Sequence, residues 1–182
     1  MQRRCWVMLS LLLVCCVAAA QRRSRDPLTD KEVYQMRETA DYPNKRIELM
    51  IGFARARINS IEQLQADAKA AEGRPQKIHG LLEDFLTLVD EIDDNIDMYT
   101  SHKADMRKGL KLLIEADSEF QLRLRRLKEQ SPPAEMEQYS FVLTNATEAV
   151  NDSAQTAREM LQEQNELAKD KKLNKDWSER KD

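Results

Sequence analysis

The densest set of chemically useful side chains in this sequence is a run of aspartates in VDEIDDNID, residues 89–97. Four of them recur at the i, i+3, i+4, i+7 spacing that places side chains on one side of a helix: Asp90, Asp93, Asp94 and Asp97. Carboxylate oxygens are the ligands that hard cations such as calcium prefer. The four aspartates are therefore our candidate metal ligands. One helix presents only one side of a coordination shell, however, and the glycine and terminal glutamate of a calcium-binding loop are missing.

A docking surface for a basic partner and a solvated helix face are the other two interpretations of this run. No Lys or Arg occurs at positions 78–102, which hold seven acidic residues. The next segment begins with four basic residues: Lys103, Arg107, Lys108 and Lys111. A tight turn at residues 100–102 is expected to bring two pairs together, Asp94 with Lys108 and Glu91 with Lys111. On this interpretation the acidic run is a solvated face that is partly salt-bridged within its own chain.

Catalytic chemistry has little support in the sequence. The three cysteines, at positions 5, 15 and 16, all precede residue 21, so the rest of the chain has no thiol for a disulfide, a zinc site or a nucleophile. His79 and His102 are preceded at i−3 by Gln76 and Tyr99, so the Glu-x-x-His pairs of di-iron bundles are missing. The sequence has no G-x-S-x-G motif. We therefore predict a protein that is not an enzyme and holds no cofactor.

Residues 1–20 have the organisation of a secretory signal peptide. Two arginines precede an apolar run from Cys5 to Val17, and three alanines then supply the small residues that signal peptidase prefers. The run of about 15 apolar residues is shorter than the roughly 20 that a spanning helix needs. We predict cleavage before Gln21, export to the periplasm or the extracellular space, and no stable membrane span afterwards. An uncleaved anchor and a lipoprotein are the alternatives.

The composition favours long solvated helices over sheets. Charged residues make up 34% of the chain and aromatic residues 5%, with only four glycines and five prolines. Removal of residues 1–20 leaves 162 residues and changes the formal net charge from −3 to −5, because two arginines are lost. This moderate, mixed charge does not resemble the strongly basic surface of a nucleic-acid-binding protein.

Segments with Pro or Gly divide the chain into helical stretches: DYPN (41–44), EGRP (72–75) and QSPP (130–133). Between them, apolar residues recur in steps of three and four, which is typical of helices packed nearly parallel or antiparallel. Thr29 and Glu32 predict a capping box for a short helix before Pro43. We predict an all-α fold, an up-down antiparallel bundle of four long helices plus a short N-terminal helix, with coiled-coil-like packing. Its predicted core includes Ile47, Ile51, Ile58, Leu82, Phe85, Val89, Ile92, Ile96, Leu110, Leu113, Phe120, Leu124, Leu143, Ala146 and Val150, and the same apolar pattern also includes Ala68, Tyr99, Met136, Met160 and Leu167.

The boundary between the second and third long segments has two interpretations. The apolar pattern continues past Tyr99 to Met106, which allows one helix of about 55 residues, roughly 80 Å long, over 76–130. We favour a turn at residues 100–102, because it gives the near-matched helix lengths that an up-down bundle needs. The predicted domains are a signal peptide (1–20), an N-terminal segment with a short helix (21–42), the helical bundle (43–168) and a charged flexible tail (169–182).

These observations predict an exported, non-catalytic helical-bundle protein that acts by binding another protein or an envelope component. They give neither the partner nor the oligomeric state. One alternative is a divalent-metal binder that uses the acidic helix face. The other is a periplasmic chaperone-like bundle, which requires an exposed apolar concavity to hold unfolded clients.

Overall fold

The computed structural model describes residues 26–179, with side chains described for residues 26–170. All the regular elements in this part of the chain are helical. They are α1 (Asp30–Glu38), α2 (Pro43–Ala66), a 3₁₀ turn (Ala68–Ala71), α3 (Arg74–Ser101), α4 (Arg107–Gln130), α5 (Pro133–Met136) and α6 (Ser140–Glu179). The predicted all-α helical bundle, with four long helices and a short N-terminal one, is confirmed. The predicted signal peptide lies outside the described residues.

Helix α1 begins as its sequence predicts. The Thr29 hydroxyl accepts a hydrogen bond from the Glu32 backbone N–H, and the Glu32 carboxylate accepts one from the Thr29 N–H, so the capping box is present. Met36 packs into the bundle core, and its carbonyl accepts a hydrogen bond from Arg46 Nη1 on α2 at 2.7 Å. The Tyr99 hydroxyl on α3 donates to the carbonyl of Ala40. The N-terminal segment is therefore bonded to both α2 and α3.

The four long helices pack as a square in which α2 and α6 each contact both α3 and α4. Hydrogen bonds from α2 to α4 join residues 61 to 65 positions apart, as in Arg55 to Glu119 and Asn44 to Gly109, so these two helices run parallel. The Asp93 to Ser153 bond, 60 positions apart, relates α3 to α6 in the same way. Consequently α3 and α4 lie on a diagonal, where the rings of Phe85 and Phe120 meet edge to face at 5.2 Å.

The turn that was predicted after α3 is present, and the single long helix over 76–130 is excluded. Helix α3 ends at Ser101, and Lys103 adopts a positive φ of 61° in the loop that follows. Asn44 on α2 holds the far side of this loop: its Nδ2 donates to the Asp105 carbonyl, and its Oδ1 accepts from the Gly109 N–H. A Cβ on Gly109 would lie 3.1 Å from that oxygen, which explains the glycine.

The predicted pairing of the acidic run with the basic strip is wrong. Between the described residues, no ion pair joins Asp94 to Lys108 or Glu91 to Lys111. The reason is topological, because the loop carries the chain across the diagonal to a place beside α2 rather than beside α3. The order of the segments therefore predicted the turn after α3 correctly, but it predicted the wrong neighbouring helix for α4.

The apolar pattern identified the core correctly. Most residues of the predicted apolar pattern are buried, among them Ile92 and Leu124, each 1% exposed. The exceptions are Tyr99, Met136 and Met160, which are half-buried, and Ala68 and Leu167, which are exposed. The helix that closes the bundle is longer than the pattern suggested. We placed the start of a flexible tail at residue 169, but α6 continues as a helix to Glu179.

Candidate functional site

The four candidate aspartates point in two directions. Asp90, Asp94 and Asp97 are exposed, as an outward-facing stripe requires. Asp93 is half-buried where α3 packs against α6. Its Oδ1 accepts a hydrogen bond of 2.8 Å from the hydroxyl of Ser153, a residue 1% exposed. Three of the four candidate aspartates on α3 therefore face solvent, and the fourth faces the core.

A second carboxyl, which the sequence analysis did not single out, lies in the core close to Asp93. Asp117 on α4 is fully buried at 0% exposed, and neither of its carboxylate oxygens has a hydrogen-bond partner. The Ser153 hydroxyl is near this group too, but its hydrogen bond goes to Asp93. We call Asp93, Asp117 and Ser153 the core acid cluster; it joins α3, α4 and α6.

Burial and like charge together raise the pKa values of both carboxyls. Burial is the largest cause of the rise in the pKa of Asp93 to about 6, and the charges of Asp90, Asp97 and Asp94 add to it against the Ser153 hydrogen bond. Burial and then the charge of Asp93 raise the pKa of Asp117 to about 7, while Ser153 and Arg158 oppose the rise. The two acids therefore titrate as an interacting pair near neutral pH.

The core acid cluster has a small cavity beside it, between α3 and α6. This cavity measures about 150 Å³, and it is lined by Asp93, Ile96, Asp97, Thr156, Ala157 and Met160. Among the residues described, no group of three or more His, Cys, Asp or Glu side chains is placed to hold a metal ion. Metal binding by Asp90, Asp93, Asp94 and Asp97 stays a prediction, for which a titration is the test.

The packing order separates charge between the two parallel helix pairs. Helices α2 and α4, which we call the basic layer, hold eleven Lys and Arg against six Asp and Glu. Helix α3 and residues 140–170 of α6, which we call the acidic layer, hold four against thirteen. None of the ion pairs between described residues involves Asp90, Asp94 or Asp97. The acidic stripe thus faces solvent without an internal cationic partner.

A larger open groove of about 580 Å³ lies between α4 and the distal part of α6. Its floor is apolar, with Ile114 and Leu161, and Arg107, Arg158 and Lys169 supply positive charge around it. The large exposed apolar side chains are scattered over several elements: Tyr34, Tyr42, Met98, Leu122, Phe141 and Leu167. The chaperone-like alternative stays a prediction.

The two histidines are not brought together by the fold. His79 lies in the first turns of α3, 3.6 Å from Glu83, and His102 lies just after its last turn, with Nδ1 2.7 Å from the Met98 carbonyl. Within residues 26–179, none of the helices combines the length and the apolarity that crossing a membrane would take. Comparisons with protein-family models, with curated proteins and with solved structures gave no match.

Proposed function

We propose that this protein is exported, is not an enzyme, and acts by binding a protein partner with a basic surface through its acidic layer. The observation that carries this proposal is the separation of charge between the two helix layers. Opposite charges that pair within a chain are not available to a partner, but Asp90, Asp94 and Asp97 form no ion pair with any residue whose side chain the structure describes. A surface of one sign steers a partner of the opposite sign into contact and disfavours others.

The remaining alternatives have weaker support. An anionic envelope component is expected to contact the opposite side of the bundle, where Lys108, Lys111 and Arg125 are exposed on the basic layer. A divalent-metal binder would need three or more ligands to converge, and only Asp93 of the acidic quartet turns inward. A chaperone-like role would need a continuous apolar surface, whereas the apolar seams of all four helices are closed against one another.

A capture experiment with matched charge variants tests the proposal. The chain from residue 21 to its end is immobilised, incubated with extract of its native envelope, and the retained proteins are identified. We expect capture to be lost in an acidic-layer triple variant, Asp90→Asn, Asp94→Asn and Asp97→Asn. A basic-layer control, Lys108→Gln, Lys111→Gln and Arg125→Gln, changes equally exposed residues and should retain capture. Loss in the control alone would point to an anionic partner and contradict the proposal.

Two further measurements separate the parts of the proposal. N-terminal sequencing of protein collected outside the cytoplasm should begin at Gln21 if the chain is exported and cleaved there. Calorimetric titration with calcium, magnesium, zinc and iron at millimolar concentration should give no heat that depends on the four aspartates. Metal-dependent heat that disappears in the acidic-layer variant would instead favour the metal binder.

A further inference from the structure

The core acid cluster connects three helices through groups that rarely share a core. Asp93 lies on α3, Asp117 on α4 and Ser153 on α6, and the neighbouring seam residues of these helices are apolar and buried. Asp117 occupies a position where an aliphatic side chain would complete the seam between Leu113 and Phe120. Neither carboxylate oxygen of Asp117 accepts a hydrogen bond from the described residues, and burial disfavours the charged form of this group.

We propose that the core acid cluster is a proton-operated lock, in which uptake of protons by Asp117 and Asp93 tightens the packing of α3 and α4 against α6 and their loss loosens it. A proton on Asp117 removes the buried charge and supplies a hydroxyl donor. Ser153 and Asp93 are the acceptors nearest to it. Loss of both protons places two negative charges close together inside an apolar core, where their repulsion is poorly screened.

The charged groups around Asp93 and Asp117 favour the protonated forms of these two acids. On α3, Asp90, Asp94 and Asp97 add negative potential at Asp93. On α6, the charge of Arg158 lowers the pKa of Asp117, and within residues 26–170 it is the only cation among the causes of that shift; its side chain is exposed to solvent. On α2, Arg55 is bonded to Glu119 and Arg57 to Glu32, and neither arginine is among the causes of the pKa shift at Asp117 or Asp93. No described cation therefore neutralises the pair from within the core.

The direction of the pH dependence follows from the raised pKa values. An unfolded aspartate has a pKa of about 3.9, whereas those of Asp93 and Asp117 are raised to about 6 and about 7. The stabilisation is therefore complete below pH 4 and is lost as the pH rises through 6 to 7. From Asp117 alone, the folded-to-unfolded ratio should fall on the order of a hundredfold between pH 5 and pH 8.5.

Urea unfolding of the chain from residue 21 onward, followed at pH 5 and pH 8.5, tests the lock. We expect the urea midpoint of the wild-type protein to fall between these values. The midpoint of Asp117→Asn should change much less, because asparagine has nearly the same shape and does not titrate. Glu115→Gln, an exposed carboxylate two residues away, serves as the control and should follow the wild type. Parallel curves for the wild type and Asp117→Asn would overturn the proposal.

A direct titration of the wild-type protein does not depend on whether any variant folds. Carboxyl carbon NMR shifts of the aspartates, followed from pH 3 to pH 9, should show Asp117 titrating near pH 7 and Asp93 near pH 6. An Asp117 midpoint below pH 5 would mean that the carboxylate is ionised in the closed bundle, and the lock would be refuted. The outcome is independent of the proposed partner, because neither measurement involves binding.

Discussion

Among the buried acids of the described bundle, Glu32 and Asp117 are accommodated in opposite ways. Glu32 on α1 is about as buried as Arg57 on α2, each 9% exposed, and the two form a bidentate ion pair at 2.6 and 2.8 Å. Asp117 is buried more deeply and has Asp93 as its nearest charge. One carboxylate is stabilised as an ion by a guanidinium, and the other is stabilised as a neutral acid by its surroundings. Burial alone therefore does not decide the protonation state; the neighbouring charge does.

This contrast gives the two sites opposite dependences on pH. Burial by itself raises the pKa of Glu32, but hydrogen bonds from Arg57 and Thr29 outweigh it and hold the pKa below its ordinary value. Stability from Glu32 is therefore present above the unfolded pKa of about 4.3 and is lost as the pH falls. Stability from Asp117 is lost as the pH rises. Together they predict a stability maximum near pH 4, with an acid limb from Glu32 and an alkaline limb from Asp117.

The largest effect on the free energy of unfolding is expected from breaking the ion pair between Glu32 and Arg57. Arg57→Met removes the partner of a buried carboxylate, together with a hydrogen bond that Arg57 Nη2 donates to the Pro27 carbonyl. We expect a loss of about 3–5 kcal/mol in the free energy of unfolding at pH 7, because an uncompensated charge stays buried. Urea unfolding measures this loss. Arg55→Met, which breaks a more exposed pair with Glu119, is the control and should cost about 1 kcal/mol or less.

The fold was largely predictable because its signals are local. The capping box at Thr29 and the period of buried residues from Ile47 to Val150 follow from helix geometry. The order in which the four long helices pack around the square could not be predicted from these local patterns. It depends on how a five-residue loop crosses the bundle and on Asn44, whose two hydrogen bonds at the start of α4 join segments more than sixty positions apart. Local patterns do not carry that information.

The site with like charges should respond in the opposite direction to its removal. Asp117→Leu keeps the branching and the number of side-chain heavy atoms, and it replaces an unsatisfied carboxyl by a larger, apolar side chain in an apolar seam. We expect a gain of about 1–3 kcal/mol in the free energy of unfolding at pH 7.5, since the penalty for a buried unpaired polar group disappears. A loss at that pH, measured by urea unfolding, would show that Asp117 has a favourable partner and would remove the contrast with Glu32.

The core acid cluster could have been found from the sequence by attending to interruptions of the pattern. Asp117 lies four residues after Leu113 and three before Phe120, so it occupies a seam position, and Ser153 does the same after Val150. A polar residue on an apolar seam is the signal for such a site. Their proximity to Asp93 was not predictable, because the predicted turn placed α4 next to α3, whereas in the structure these two helices lie on a diagonal.

An effect of intermediate size is expected for the loss of stability at acid pH, which we assign to Glu32. Glu32→Gln removes the titrating group but keeps an oxygen that can accept from Arg57, so its stability should depend less on pH below 5. We expect the fall in the free energy of unfolding between pH 5 and pH 3 to be smaller than in the wild type by about 1–2 kcal/mol. Glu48→Gln, an exposed carboxylate on α2, should leave the fall unchanged. Equal falls in all three proteins would assign the acid limb to other carboxyls.

The smallest effect separates the inward and outward sides of the acidic run. Ser153→Ala removes the hydrogen bond to Asp93 and should cost about 1 kcal/mol at pH 7.5, where Asp93 is mostly ionised and needs the donor. At pH 5, where Asp93 is mostly protonated, the same change should cost less, because a neutral acid depends less on a donor. Asp94→Asn, one position along the helix and exposed, should change stability by less than about 0.5 kcal/mol at either pH. If Ser153→Ala showed no dependence on pH, its hydroxyl would serve only to fill space, and the link between Asp93 and α6 would be packing rather than charge.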